Sequence, residues 1–317
     1  MSYTVVIPQD ITDPAKTFLK EKGYNLVIGS GSIDPEEVKK VVAPADAILA
    51  RTAPFSRDIL AAAPSLKVIS RHGIGVDNID VEYCTDHGIW VTFAPQSNAI
   101  SVAEHTIGFL VAAAHRFSYL DRATRKVDWS VRNTVKCVDL EGKTLGIVGM
   151  GRIGRMVAEK AMAAFGMKVL GYDAFLKSEN FPDSVTPVAL DEIFTKSDFV
   201  SLHMPATPET RGMVNAAVLT KMKPNAYLIN CARGGIVDER ALYEALKNNQ
   251  LAGAALDVFE QEPAEPDNLL FTLDNIELTP HTAASTAESL DRMALHAAMG
   301  IHSVLSGEKP EWPVNSV

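Results

Sequence analysis

The sequence predicts an α/β fold in which parallel sheets are covered by helices on both faces, and two observations carry that expectation. Short, continuously apolar runs rich in Val, Ile and Leu recur along the chain, as buried parallel strands require. Between them lie longer stretches with apolar residues three and four apart, the spacing of an amphipathic helix. At 317 residues the chain is also about twice a ~150-residue single domain, so two separate cores are expected.

Taken in order, the strand runs are 3–7, 47–50, 68–70, 145–148, 168–172, 199–202 and 227–230, and the helical stretches are 14–22, 35–41, 102–115, 152–165, 239–248 and 285–305. The most apolar segment, 106–114, is about half the length of a membrane-spanning helix and follows Glu104 and His105, so it reads as a buried helix. The first ninety-odd residues hold too many alternations to be a tail on the unit that begins near Leu145, and are expected to form a domain of their own. A long, largely helical connection over 101–139 leads into that second unit, and a final helix after His281 is placed back on the first domain. No repeat of fixed period, charge run or low-complexity tract interrupts the pattern.

Composition removes several classes of function. Hydrophobic residues at 47% and charged residues at 22% are ordinary globular usage. Thirty Lys plus Arg against 39 Asp plus Glu give a net charge of −9, which argues against a nucleic-acid or membrane partner and leaves anion binding to a concentrated pocket. Cys84, Cys137 and Cys231 lie far apart without a C-x-x-C, so neither a disulfide framework nor a metal site is expected. The chain opens directly on a strand with no export signal, and a cytoplasmic location is the expectation.

A buried strand runs into Gly149-Met150-Gly151-Arg152-Ile153-Gly154 and then into a helix with Val157, Ala158 and Ala161 on one side. Gly149 permits a tight turn, Gly151 lets the backbone approach a pyrophosphate, and Gly154 allows close helix packing. The next strand ends in Asp173, nineteen residues after Gly154, where a carboxylate can accept hydrogen bonds from ribose hydroxyls and repels a 2′-phosphate. NAD is therefore expected as cofactor, in preference to NADP.

Three later strand ends carry the candidate chemistry. Asn230-Cys231-Ala232-Arg233-Gly234-Gly235 places an arginine where ligands sit in an open parallel sheet, and a guanidinium can hold a carboxylate and polarise a carbonyl. Asp257-Val258-Phe259-Glu260-Gln261-Glu262 supplies acids after another strand, and Leu278-Thr279-Pro280-His281 ends a third run in a histidine able to exchange a proton near neutral pH. Singly, Arg233 reads equally as a surface residue, and the chain has eight histidines, so position must select among them.

Together, Val148 to Gly154, Asn230 to Glu239, Ala255 to Pro263 and Pro280-His281-Thr282-Ala283-Ala284-Ser285-Thr286 resemble the D-isomer-specific 2-hydroxyacid dehydrogenase family, with a likeness to short-form D-3-phosphoglycerate dehydrogenases. The resemblance implies two Rossmann-like, doubly wound parallel-sheet domains, the substrate-binding one flavodoxin-like and discontinuous (1–99 plus 286–317) around an NAD-binding domain (100–285). It implies Arg233 as substrate anchor, Glu262 as partner of the histidine and His281 as general acid/base, with Thr106, Gly149, Gly151, Arg152, Ile153, Gly154, Asp173, His203, Cys231 and Asp257 around the cofactor. Arg71-His72-Gly73-Ile74-Gly75 looks like the family's substrate loop, with Gly73, Ile74 and Gly75 cradling a carboxylate. Arg51 and Arg71 sit where phosphoglycerate dehydrogenases place arginines, suggesting a second anionic group on the substrate, although each also reads as a surface ion-pair residue. The resemblance further implies a homodimer, and no regulatory domain is expected after Val317. The expected activity is NAD-dependent interconversion of a D-2-hydroxy acid and its 2-oxo acid, 3-phosphoglycerate and 3-phosphohydroxypyruvate leading. A glyoxylate or hydroxypyruvate reductase is the nearest alternative, and an NAD-sensing, corepressor-like binding protein the alternative from another class.

Overall fold

The computed structural model describes residues 2–317, and the chain forms two compact units, Met1–Asn98 with Ser285–Val317, and Ala99–Ala284. The first unit holds a five-stranded parallel sheet of β1 (Thr4–Ile7), β2 (Asn25–Ile28), β3 (Ala47–Ala50), β4 (Val68–Arg71) and β5 (Trp90–Thr92), in the order β2-β1-β3-β4-β5. That order reverses between β1 and β3, a flavodoxin-like switch point. Arg51 follows β3 directly, so it stands at this switch point, and Arg71 closes β4.

Both faces of this sheet are covered, which is why β3 is buried at every position. One face packs against the helices Pro35–Val42 and Arg57–Leu60 through Val38, Val42, Ile59 and Leu60. The other receives Ala15 and Leu19 of the helix Asp13–Glu21 and Ala294, Ala297, Ala298 and Ile301 of the helix Ala287–Leu305. Small residues on this last helix let it lie close to the strands. A Cβ built on Gly300 stands only 2.7 Å from the Thr92 Oγ1, which itself donates to Ser70 Oγ at 2.7 Å.

The second unit holds a seven-stranded parallel sheet of β6 (Thr144–Val148), β7 (Lys168–Tyr172), β8 (Val185–Pro187), β9 (Phe199–Leu202), β10 (Tyr227–Asn230), β11 (Gly253–Leu256) and β12 (Ile276–Leu278), in the order β12-β11-β10-β9-β6-β7-β8. Read from β8, this is the doubly wound dinucleotide-binding order extended by one strand, with the reversal between β6 and β9. The helices Ala99–His115 and Arg152–Phe165 cover one face and Leu190–Lys196, Ala216–Lys221 and Glu239–Lys247 the other. The apolar stretch 106–114 is thus part of a sheet-covering helix, and no helix among the described residues is long and apolar enough to cross a membrane.

The close seat of the last helix gives a test. Gly300→Val places methyl groups against Thr92 and Ser70, and overpacking of this kind costs about 1–3 kcal/mol. A fall of that size in urea-unfolding stability is expected.

Candidate active site

At the β6 end the chain turns sharply at Gly149, whose φ of +97° suits glycine and whose added Cβ would stand 2.6 Å from the His203 carbonyl oxygen. Gly154 lies against the Gly149 carbonyl, 2.1 Å from an added Cβ, which seats the start of the helix Arg152–Phe165 close to β6. No atom would meet a Cβ on Gly151 within 4 Å, so the backbone here is open to a ligand. Arg152 and Ile153 form the first turn beneath that opening.

Asp173 follows β7 and faces the same turn. Its Oδ2 accepts from the Met150 amide at 2.9 Å, and its Oδ1 from the amides of Phe175 and Leu176 at 2.9 and 3.1 Å. Beside it lies a cleft of about 420 Å³ lined by Tyr172, Leu176, Phe181 and Pro187 and, on its polar side, by Ser178 and Glu192. An open glycine turn at a helix N-terminus, an acid at the neighbouring strand end and a cleft with aromatic and polar walls fit the pyrophosphate, ribose and adenine of a dinucleotide.

His203, Thr106 and Cys231 surround the β9 and β10 ends. The His203 Nε2 is 2.8 Å from Ser201 Oγ, and burial pushes the imidazole down to about 4, so it is neutral at pH 7. Thr106 is buried and donates to the Val102 carbonyl at 2.8 Å. Burial pushes the Cys231 thiol up to about 12, which keeps it from acting as a thiolate nucleophile.

The β10, β11 and β12 ends bring three reacting groups together. Asn230 folds the first turn around Arg233: its Nδ2 donates to the Arg233 carbonyl at 2.9 Å and its Oδ1 accepts from the Ala232 amide at 3.0 Å. The Arg233 guanidinium donates to the Ala232 carbonyl at 2.7 Å. Backbone meets backbone at Gly234, where an added Cβ would stand 1.7 Å from the Phe259 oxygen, so the β11 loop can lie directly on the Arg233 turn.

That loop presents Glu262. Its Oε1 accepts from the Phe259 amide at 3.0 Å, and its Oε2 is 2.6 Å from His281 Nδ1. Burial raises the Glu262 carboxyl, but the hydrogen bonds from His281 and Phe259 and the charges of His281 and Arg233 outweigh it and hold the group below its ordinary range. It is a carboxylate at neutral pH. His281 sits in a left-handed turn, φ +53°, with its amide donating to the Asp257 carbonyl at 2.7 Å. The buried Asp257 carboxylate fixes the same turn by accepting from Thr279 Oγ1 at 2.5 Å, the Thr282 amide at 2.7 Å and the Ala283 amide at 2.9 Å. Sequence reasoning named Arg233, Glu262 and His281; it missed that Asn230 and the Phe259 amide orient two of them, a geometry no spacing reveals.

In the first unit, Arg71 is turned onto its own loop. Its Nε donates to the Gly75 carbonyl at 2.7 Å and its Nη1 to the His72 carbonyl at 2.8 Å, so it wraps Gly73, Ile74 and Gly75. Arg51 donates to the Asp10 carbonyl at 2.7 Å. Burial and the charges of Arg51 and Arg71 push His72 down to about 4, so this cluster carries arginine charge alone at pH 7.

Fold and site together define a dinucleotide-binding α/β protein with an arginine and a carboxylate–histidine pair at the carboxyl ends of one sheet. The chain belongs to the D-isomer specific 2-hydroxyacid dehydrogenase family, whose NAD binding domain matches residues 107–283. It is 42% identical over 312 residues to a D-3-phosphoglycerate dehydrogenase of Methanocaldococcus jannaschii, covering 96% of this chain but 59% of that protein. With a glyoxylate reductase of Thermofilum pendens it shares 40% identity over 98% of this chain and 94% of that one. Among solved structures, the TT0316 protein from Thermus thermophilus matches with a TM-score of 0.91 and 34% identity, covering 98% of this chain and all of that one. NAD is the cofactor of the matched domain.

The two depressed histidines predict an acid response. His72 and His203 stay neutral in the folded protein down to about 4, whereas the unfolded chain binds protons from the ordinary value of 6.5 downward. Stability present above pH 6.5 is therefore lost as pH falls through that interval. Urea midpoints measured across it should decline, and less steeply in His203→Asn; equal slopes would refute the assignment.

Proposed function

We propose that the protein is an NAD-dependent oxidoreductase that interconverts a D-2-hydroxy acid and its 2-oxo acid, with 3-phosphoglycerate and 3-phosphohydroxypyruvate as the leading pair. The observation that carries the reaction class is the 2.6 Å contact of His281 Nδ1 with Glu262, in the same site as Arg233. Glu262 occupies Nδ1, so Nε2 is the nitrogen left to exchange a proton with the substrate oxygen. Arg233 holds the carboxylate common to all 2-hydroxy acids through paired hydrogen bonds. In oxidation His281 takes the hydroxyl proton as the C2 hydrogen leaves with its electron pair; in reduction protonated His281 returns that proton to the carbonyl oxygen. The Gly149–Gly154 turn and Asp173 would hold NAD, which would supply the hydride acceptor or donor.

The phosphorylated substrate is supported by several relatives named D-3-phosphoglycerate dehydrogenase and by Arg51, an arginine at the switch point of the first unit's sheet. We assign substrate binding in that unit to Arg51, Arg71 and the Gly73-Ile74-Gly75 loop. One observation favours a glyoxylate or hydroxypyruvate reductase instead: Arg71 turns its Nε and Nη1 donors onto backbone carbonyls of Gly75, His72 and Ala50, and the glyoxylate reductase relative is matched along nearly its whole length. The homodimer reading is supported by Phe117, Val127 and Trp129, three large apolar side chains left exposed on neighbouring segments of the second unit. Three free thiols fit a reducing compartment such as the cytoplasm.

His281→Gln should lower turnover by at least ~10² with NADH affinity little changed, since general acid/base catalysis contributes about 10²–10⁴. Glu262→Gln withdraws the charge that favours the protonated ring, so the alkaline limb of the reduction profile should move to lower pH. An active His281→Gln, or an unmoved limb, would remove the pair from the mechanism.

Substrate choice is tested with 3-phosphohydroxypyruvate and glyoxylate side by side. Loss of a charge-assisted hydrogen bond worth about 1.5–3 kcal/mol should cost Arg51→Ala roughly 10- to 100-fold in kcat/KM for the phosphorylated acid and little for glyoxylate. Arg71→Ala, which loosens the loop, and Arg233→Ala, which abandons the shared carboxylate, should damage both. Equal effects of Arg51→Ala on the two acids would move the reading to the reductase.

A further inference from the structure

The loop that presents Glu262 has little apolar burial to hold it. Glu260, Gln261, Glu262, Pro263, Glu265 and Pro266 are all exposed, so polar ties must fix its path. Apart from the hydrogen bond that Gln261 Nε2 donates to Glu265 within the loop, they converge on one side chain outside the reacting trio. Glu239, the first residue of the helix Glu239–Lys247, accepts from the Glu260 amide on Oε1 at 2.5 Å and from Asn268 Nδ2 on Oε2 at 2.8 Å. Its own amide donates to Glu260 Oε1 at 3.0 Å, making the tie to Glu260 reciprocal. Asn268 in turn accepts from the Leu270 amide at 3.0 Å and caps the short helix Leu269–Thr272. Glu239 therefore grips both ends of the loop between Glu260 and Asn268, from the same helix that continues the Arg233 turn.

We propose that Glu239 is a positioning residue for the proton-transferring pair. Glu260 is bonded directly to Phe259, whose amide holds Glu262 Oε1 and whose carbonyl rests on Gly234. Fixing the main chain at Glu260 thus fixes the donor that orients Glu262 and leaves Oε2 aimed at His281 Nδ1. Aspartate is one methylene shorter and cannot span to both donors; glutamine keeps one acceptor but turns an amide group towards Asn268 Nδ2. The inference deepens the proposed function and rests on its reading of Glu262 and His281.

The experiment follows the Glu262 carboxyl by NMR against pH in the parent protein, Glu239→Ala and Glu239→Gln without cofactor, together with kcat and NADH binding in reduction of glyoxylate for these and for His281→Gln. In Glu239→Ala the Glu262 titration should move to higher pH, as its hydrogen bonds from His281 and Phe259 loosen, and kcat should fall about 10-fold or more, since misplacement by about 1 Å costs up to 10²-fold. NADH affinity should hold, and Glu239→Gln should recover part of both effects. An unmoved titration and kcat in a folded Glu239→Ala, with only a lower urea midpoint, would overturn the proposal. If Glu239→Ala does not fold, Asn268→Ala, which removes one of the two donors, decides by the same titration. An active His281→Gln overturns the proposed function, whereas an inactive His281→Gln beside an unshifted Glu239→Ala overturns this inference alone.

Discussion

The Asp257 carboxylate is enclosed by protein, and a group of this kind must find its hydrogen bonds inside. It finds them on the chain beyond β12, in the Thr279 hydroxyl and the amides of Thr282 and Ala283. Those bonds, with the Asp257 carbonyl on the His281 amide, hold the left-handed backbone at His281 that an unconstrained histidine rarely adopts. The ring is thereby delivered to Glu262. His105 lies against the same assembly, 3.1 Å from Thr279 Oγ1, so the sheet-covering helix Ala99–His115 braces it from behind.

The second brace comes from glycine. Where the Arg233 turn and the β11 loop cross, Gly234 removes the side chain that would keep them apart. Arginine, carboxylate and imidazole are then mounted on three adjacent strands of one sheet, β10, β11 and β12, whose register fixes their order. Rigid strands carry the residues and short loops aim them, which suits a reaction in which a proton and a carboxylate must be met at set places.

The fully covered strands were legible in the sequence because burial on both faces leaves an unbroken apolar run, as in β3, β9 and β10. Two edge strands escaped. β8 is a three-residue strand ending in Pro187 and shows no run, whereas β2 carries one, Leu26-Val27-Ile28, yet is exposed or half-buried at every position. Short helices such as Arg57–Leu60 and Ala216–Lys221 are too brief for a helical period to register. Within the site, residue types at strand ends pointed to Arg233, Glu262 and His281, since chemistry there needs a cation, an acid and a proton carrier. The sequence could not show that Arg71 turns back on its own loop, nor that Glu239 reaches Glu260, because both depend on side-chain direction rather than spacing.

The return of the helix Ala287–Leu305 to the first unit also orders events on the ribosome. The second unit is one unbroken segment, Ala99–Ala284, and can close its core as soon as it has emerged. The first unit cannot. On the face of Val5, Ile7, Leu49 and Val68 its strands β1, β3 and β4 have only Ala15 and Leu19 of the helix Asp13–Glu21 for cover until Ala294, Ala297, Ala298 and Ile301 are made. The earliest part of the chain to be synthesised is thus the last to be sealed, and through most of elongation it is the segment that chaperones would have to shield.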